Sequence, residues 1–262
     1  INPLISIADK AVYSVPIILL IGWRGAPGFK DEPQHLAKGK ITIKLLNILK
    51  IKYQILNSKK DLKKISNLIN FSKKNKVPVA ILCKKGVLSG QSINIKNNNI
   101  ILPSREELIT ILLENINKKT KIISTTGYTS RELFQLHKIY KNKNSENFYM
   151  VGGMGHASMV ALGVSLKTKK NIICLDGDGS MLMHMGALTS VSFFGKKNFK
   201  YILLNNSAHE SVGGQKTNAN LINFSLLAKS LKFKSYVLIK NKYTLKKKLK
   251  FFLKSSGPSF LK

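Results

Sequence analysis

Two apolar runs in this sequence stop on oxygen-bearing side chains. The run "IICL" gives way to Asp176, Gly177, Asp178, Gly179 and Ser180, and 25 residues separate Gly179 from Asn205 and Asn206, which end the run "YILL". A carboxylate from Asp178 and an amide oxygen from Asn206 are hard donors of the kind Mg2+ takes. That ion keeps few protein ligands and completes its octahedron with phosphate oxygens and water. Glycines let a backbone come close to a ligand, and Ser180 opens a helix whose free N–H groups favour an anion. Two further turns have the same character: Thr125, Thr126 and Gly127 after "KIIS", and Gly152, Gly153, Met154 and Gly155 before "HASMVAL". Four such strand ends predict a divalent cation that joins neighbouring termini to a diphosphate.

Other readings of these residues weaken on inspection. As a calcium loop, "DGDGS" would place Met181 at the required glycine and Ala187 at the required bidentate glutamate. As a lone dinucleotide fingerprint, "GGMGHA" wants an acidic residue about 20 positions on, and those available lie inside the GDG turn. A metal-free tight turn accounts for "GDGS" alone. It does not account for paired asparagines after a second apolar strand.

The elements that must position these residues read as alternating strands and helices. "VPIILLIG" and "VPVAILCK" are continuous apolar strands, with "ITIKLLNILKI" and "DLKKISNLINFSKKNK" as helical segments between them. The segment "KGVLSGQSINIKNNNIILP" is polar, turn-rich and without period. Then "SREELITILLENI" starts a second unit with the capping-box spacing of Ser104 and Glu107. It is followed by the strand "TKIISTTG", the helix "SRELFQLHKIY", the strand "NIICLDGDGS", a helix from Met181 to Phe194, and the strands "YILLNNS", "SYVLI" and "PSFLK". Apolar strands separated by helices predict an α/β fold with two doubly wound parallel sheets.

The formal charge of +32 does not imply a nucleic-acid partner. Lysine is spread along the chain together with Ile and Asn, as a compositional bias would spread it, and Arg24, Arg105 and Arg131 are the three arginines. Base-reading arginine forks and stacked aromatics form no cluster, and the densest lysine runs read as solvated helix faces. No apolar run approaches the roughly 20 residues that span a bilayer. Cys83 and Cys174 each sit in an apolar segment, which predicts buried reduced thiols and a cytoplasmic location.

The "GDGS" and "NN" pair resembles the thiamine-diphosphate-binding motif of thiamine-dependent enzymes. The longer stretches "NPLISIADKAVYSVPIILLIGWRGAPGFKDEPQH", "STTGYTSREL", "VGGMGHASMVALGVSL" and "LDGDGSMLMHMGALTSV" resemble the phosphonopyruvate decarboxylase family across almost the whole chain. The resemblance implies that residues 1–90 are the C-terminal part of an incomplete pyrimidine-side domain, 91–103 a linker and 104–262 the diphosphate-binding domain. It implies thiamine diphosphate and Mg2+ as cofactors. Asp178, Asn206 (with Asn205 beside it) and the carbonyl of Ala208 would hold the metal. Thr126, Gly127, Thr129, Gly177, Gly179 and Ser180 would surround the diphosphate. Met154, between Gly153 and Gly155, would wedge the cofactor into its bent shape, and the Gly152 carbonyl would accept from the aminopyrimidine. The implied reaction takes 3-phosphonopyruvate to phosphonoacetaldehyde and CO2 through a thiamine diphosphate ylid, in phosphonate biosynthesis.

A dianionic phosphonate wants cations and N–H donors. "GWRGAPGFKDEPQH" offers Arg24, Lys30, Gln34 and His35, and "NNSAHESVGGQKT" offers His209, Ser211 and Gln215, with His209 also a catalytic candidate. His156 is open between packing and cofactor contact, whereas His137 and His184 read as structural. The family's proton-relay glutamate falls upstream of Ile1. Two alternatives therefore stand beside the main reading: a decarboxylase of sulfopyruvate or another 2-keto acid, and an inactive or partial thiamine-binding subunit. The resemblance also implies a homo-oligomer, dimer or tetramer, with the site between subunits.

Overall fold

A computed structural model describes residues 1–89, 102–140 and 146–262. The chain divides into two compact units, Ile1–Gln91 and Ser92–Lys262. The expected linker, 91–103, lies outside the described residues apart from Leu102 and Pro103.

The first unit begins with a short helix, α1 (Asn2–Ile5), and continues with β1 (Ile18–Gly22), α2 (Pro33–Ile48), β2 (Lys52–Leu56), α3 (Leu62–Asn75) and β3 (Val79–Cys83). Its three strands are parallel in the order β1-β3-β2, so β3 is central, and all five of its residues are buried. An unbroken apolar run is what a strand covered on both faces requires. Helix α2 starts earlier than the apolar periodicity suggests, because Pro33 sits at the position where a missing N–H costs nothing. Strand β2 was not anticipated. Its sequence "KYQIL" has neither a continuous apolar run nor a clean alternation, and among the described residues it pairs on one side only, with β3.

The second unit contains α4 (Arg105–Asn115), β4 (Lys121–Ser124), α5 (Tyr128–Ile139), β5 (Phe148–Tyr149), α6 (Ala157–Leu166), β6 (Ile172–Gly177), α7 (Asp178–Met183), α8 (Ala187–Phe194) and β7 (Phe199–Leu204). The chain continues through β8 (Ala208–His209), β9 (Gln215–Lys216), α9 (Phe224–Ser230), β10 (Ser235–Val237), α10 (Lys242–Lys254) and β11 (Ser259–Leu261). Six strands form a parallel sheet in the order β10-β11-β7-β6-β4-β5, and β8 and β9 form an antiparallel hairpin. The capping box is present: Ser104 Oγ accepts from the Glu107 N–H at 3.0 Å, and Glu107 Oε2 accepts from the Ser104 N–H at 2.7 Å.

Strand residues alternate between two covered faces. Ile123, Cys174, Tyr201, Leu203 and Phe260 pack under α6, α8 and α9, while Ile122, Ile173, Leu175, Ile202 and Leu261 pack under α4, α5 and α10. The chain steps outward from β4 to β5 and then returns to the other side of β4 to form β6. That reversal between β4 and β6 is a topological switch point, where parallel sheets open a crevice beyond their carboxyl ends.

The helix expected from Met181 to Phe194 is broken. Helix α7 stops at Met183, α8 starts at Ala187, and Gly186 lies between them. The break also separates the methionines of this stretch: Met181 is buried, whereas Met183 and Met185 are exposed. Both cysteines are buried and unpaired, and burial pushes the Cys174 thiol well up. No helix among the described residues is long and apolar enough to cross a membrane.

Lys200 is a buried cation near the start of β7. Its Nζ donates to the Ser255 carbonyl and Ser255 Oγ, and burial lowers its pKa from 10.5 to about 8. Below the lowered value the amine is charged in both folded and unfolded chains, and the full cost of burying that charge is present. Between about pH 8 and 10.5 the folded chain binds fewer protons than the unfolded one, so this group makes stability rise with pH. Urea midpoints measured across that range are expected to rise more steeply for the wild-type protein than for Lys200→Met; equal slopes would contradict the assignment.

Candidate functional site at the switch point

Four turns of the second unit meet at the carboxyl ends of β4 and β6. Thr125, at the end of β4, donates through Oγ1 to Ser180 Oγ at 2.8 Å, and the Gly155 N–H donates to the same oxygen at 2.9 Å. The Gly152 N–H donates to Thr126 Oγ1 at 3.3 Å. Three of the glycines have left-handed backbone: Gly152 at φ +79°, Gly153 at +61° and Gly155 at +89°. That conformation is open to glycine and strained for other residues. Met154, between them, is half-buried. Gly127, at φ +92°, caps α5, and Thr129 is buried in that helix's first turn.

Space is as restrictive as φ. A methyl on Gly155 would lie 2.4 Å from His184 Cδ2, one on Gly179 2.4 Å from the His209 ring, and one on Gly127 2.8 Å from Ser211 Oγ. The β8–β9 hairpin, which carries His209 and Ser211, therefore rests against both the GDG turn and the β4 turn. The break between α7 and α8 turns His184 onto the glycine turn, where its ring lies 4.4 Å from that of His156.

Asp178 is 2% exposed. Burial pushes its carboxyl up from the ordinary value, and bonds from the Thr217 hydroxyl and the Gly179 and Asn206 N–H groups oppose that shift in part. A buried carboxylate that donors compensate only partly is a place where a cation is stabilising. Asn206 lies next to it, with its Oδ1 accepting from the Ala208 N–H at 3.1 Å and its Nδ2 donating to Glu210 at 3.2 Å. Asn205 points elsewhere: its Oδ1 takes the Ser207 N–H at 3.0 Å and the Ser207 hydroxyl at 3.3 Å, closing its own turn. Gln215 is exposed on β9, opposite His209. Asp178, Asn206 and the Ala208 carbonyl are hard oxygen donors on neighbouring termini and fit Mg2+, and the glycine turns and helix starts around them fit a diphosphate.

Several residues that build this site escaped the sequence reading. Thr217 bonds Asp178 from 39 positions away. Tyr201 donates to Asp176 at 2.9 Å beneath the GDG turn. Arg105 bridges Glu132, at 2.6 Å, and Glu210, at 3.0 Å, and so ties the hairpin to α4 and α5. Tyr201 carried a signal, as a hydroxyl inside the strand that ends on the paired asparagines.

Arg24 and His35 belong to the first unit. Both converge on Asp31, which accepts from Arg24 Nε at 2.9 Å and Nη2 at 2.6 Å, contacts His35 Nδ1 at 3.0 Å and takes the Gly25 N–H at 2.7 Å. The Arg24 guanidinium holds the Asp31 carboxyl well below the usual carboxylate range. Trp23 is buried and donates to the Gly39 carbonyl at 3.0 Å. Arg24, Asp31 and Lys84 line a cavity of about 210 Å³ beyond the ends of β1 and β3.

The second unit thus has the build of an α/β ligand-binding domain with its ligand edge at the switch point. Residues 125–262 match the family model described as thiamine pyrophosphate enzyme, C-terminal TPP binding domain. Phosphonopyruvate decarboxylase of Streptomyces viridochromogenes is 30% identical over 99% of this chain and 68% of its own length. Phosphonopyruvate decarboxylase of Streptomyces hygroscopicus is 30% identical over 87% of this chain and 59% of its own. Sulfopyruvate decarboxylase subunit beta of Methanocaldococcus jannaschii is 39% identical over 44% of this chain and 58% of its own. The chain belongs to the thiamine pyrophosphate enzymes, in the family that holds these 2-keto acid decarboxylases.

Gly155→Ala combines a left-handed backbone with a collision against His184. It is expected to cost about 1–3 kcal/mol of unfolding free energy and to weaken thiamine diphosphate binding with it. A denaturation curve and a cofactor titration matching the wild type would refute the close approach.

Proposed function

We propose that the chain is part of a thiamine-diphosphate-dependent decarboxylase that converts 3-phosphonopyruvate to phosphonoacetaldehyde and CO2 in phosphonate biosynthesis, and that it works in the cytoplasm as a homo-oligomer with its site between subunits. The observation that carries this reading is the 30% identity to a phosphonopyruvate decarboxylase across 99% of the chain, both units included. A second reading, a sulfopyruvate decarboxylase, is favoured by the 39% identity over 115 residues. That likeness covers 44% of the chain, which ranks it second.

Bound thiamine diphosphate supplies an electron sink for the carbon–carbon cleavage. Asp178, Asn206 and the Ala208 carbonyl would hold Mg2+. Thr126 and the N–H groups of the glycine turns receive the diphosphate oxygens. Met154 and the Gly152 carbonyl would orient the cofactor's rings. His209, against Gly179, is the group of the second unit placed to recognise an anionic 2-keto acid.

The test is CO2 release by the protein in its complete reading frame, with thiamine diphosphate and Mg2+, from phosphonopyruvate, sulfopyruvate and pyruvate. Phosphonopyruvate is expected to be turned over fastest. Faster turnover of sulfopyruvate would select the second reading, and comparable turnover of pyruvate would remove the phosphonate assignment. Asp178→Ala is expected to abolish Mg2+-dependent cofactor retention, and a calorimetric titration with unchanged affinity would remove the metal site.

A further inference from the structure

One oxygen of Glu210 joins a helix start to a metal-ligand candidate. Its Oε2 accepts from Arg105 Nη1 at 3.0 Å and from Asn206 Nδ2 at 3.2 Å. Arg105 is the first residue of α4, and Glu132 on α5 pins its guanidinium through Nε at 2.8 Å and Nη2 at 2.6 Å. The guanidinium also lies 5.6 Å from the centre of the Tyr128 ring. A planar fork of N–H donors can serve two carboxylates at once in a fixed geometry. The Arg105 side chain is 20% exposed and that of Glu210 49%, so the arginine is the post and Glu210 is what it holds.

An amide side chain has two unlike ends. Its oxygen accepts and can ligate a cation, whereas its nitrogen only donates. Asn206 is exposed, so hydrogen bonds rather than packing set its orientation. A carboxylate accepts and does not donate, and Glu210 therefore takes the nitrogen end of Asn206 and refuses the oxygen end. The oxygen end accepts from the Ala208 N–H at 3.1 Å and keeps a second lone pair. The pairing with Glu210 thus decides which end of Asn206 is left for an ion.

We propose that Arg105 and Glu210 are positioning residues for the divalent cation: Arg105 holds Glu210, and Glu210 holds the Asn206 amide with its oxygen end left to the ion. Groups that orient a metal ligand contribute to affinity without touching the metal. This inference rests on reading Asp178, Asn206 and the Ala208 carbonyl as the Mg2+ site of a thiamine diphosphate enzyme. The opposite charges of the two residues give the test its sign. If they acted only through their field at the diphosphate, losing the cation would weaken binding and losing the anion would strengthen it. As members of one relay, both losses weaken it.

Two measurements on the protein in its complete reading frame decide the matter. The first is a calorimetric titration with thiamine diphosphate at fixed Mg2+. Arg105→Met and Glu210→Ala are each expected to weaken affinity about tenfold, and the double variant is expected to be no weaker than its weaker parent. The second is NMR of the Asn206 side-chain amide in the cofactor-free protein, whose resonances both substitutions are expected to shift. Glu210 is half exposed, and its truncation keeps the test open if Arg105→Met does not fold. Unchanged or tighter binding in Glu210→Ala would overturn the proposal. Additive losses in the double variant, or Asn206 resonances identical to the wild type in Glu210→Ala, would overturn it as well. Failure of the wild-type protein to bind the cofactor would remove the functional reading, while the amide resonances would still decide whether the relay exists.

Discussion

A carboxylate taken out of water must be met by donors or by a cation, and β6 delivers two of them, Asp176 and Asp178, to a single turn. Both are almost fully buried, and burial drives both carboxyls upward. Much of the second unit's ligand edge follows from that constraint. The β4 turn brings Thr125, the glycine turn brings the Gly155 N–H through Ser180, β7 brings Tyr201, and the segment after β7 brings Thr217 and the Asn206 N–H. Parallel pairing of β4, β6 and β7 makes these deliveries coincide, since it places their carboxyl ends side by side.

How much of this was legible depends on where each partner lies in the chain. The apolar runs of β3, β6 and β7 were readable because a strand covered on both faces must be apolar on both, and β1 shows such a run although it is an edge strand with Ile18 and Leu20 exposed. Strand β2 and the two-residue strand β5 lie at sheet edges, where that requirement lapses, and neither has a pattern to read. The glycines were visible as residues, but their reason is spatial. Gly179 is required by a His209 ring that folds back from 30 positions away, and Gly155 by His184 across a helix break. The helix break itself had only Gly186 as a sign, in a stretch whose methionines look continuous with a core.

Ion pairs were the least legible feature. Arg24 read as a cation available to an anionic ligand, and the structure ties it to Asp31 through two hydrogen bonds. Asp31 lies two residues ahead of the proline that starts α2, and there it collects Arg24, His35 and the Gly25 N–H together. Such a cluster orients a guanidinium and an imidazole while cancelling one unit of charge. Any recognition of anions at that cavity must then draw on Lys84, whose amine lies 5.7 Å from the centre of the Phe29 ring. Arg105 is similar. A helix-start arginine in sequence, it is in space the post that holds Glu210 and so the hairpin bearing His209.

The two β6 carboxylates also show how one turn supports two different tasks. Asp176 receives fixed donors from the protein interior: a phenol, a backbone N–H and small hydroxyls. A carboxylate so enclosed has few lone-pair directions left, and it acts as a framework anion. Asp178, two residues on, receives the Thr217 hydroxyl and backbone N–H groups, and Asn206 and Ala208 lie beside it at the edge of the sheet. These donors offset only part of the cost of burying it, since its carboxyl is still pushed upward. Side chains of adjacent strand positions point to opposite faces, and the turn at Gly177 breaks that alternation. Asp176 can therefore stay within the strand pattern, bonded to Tyr201, while Asp178 opens a helix and is bonded to Thr217. The glycine between them is what lets identical side chains, one turn apart, serve as foundation and as grip.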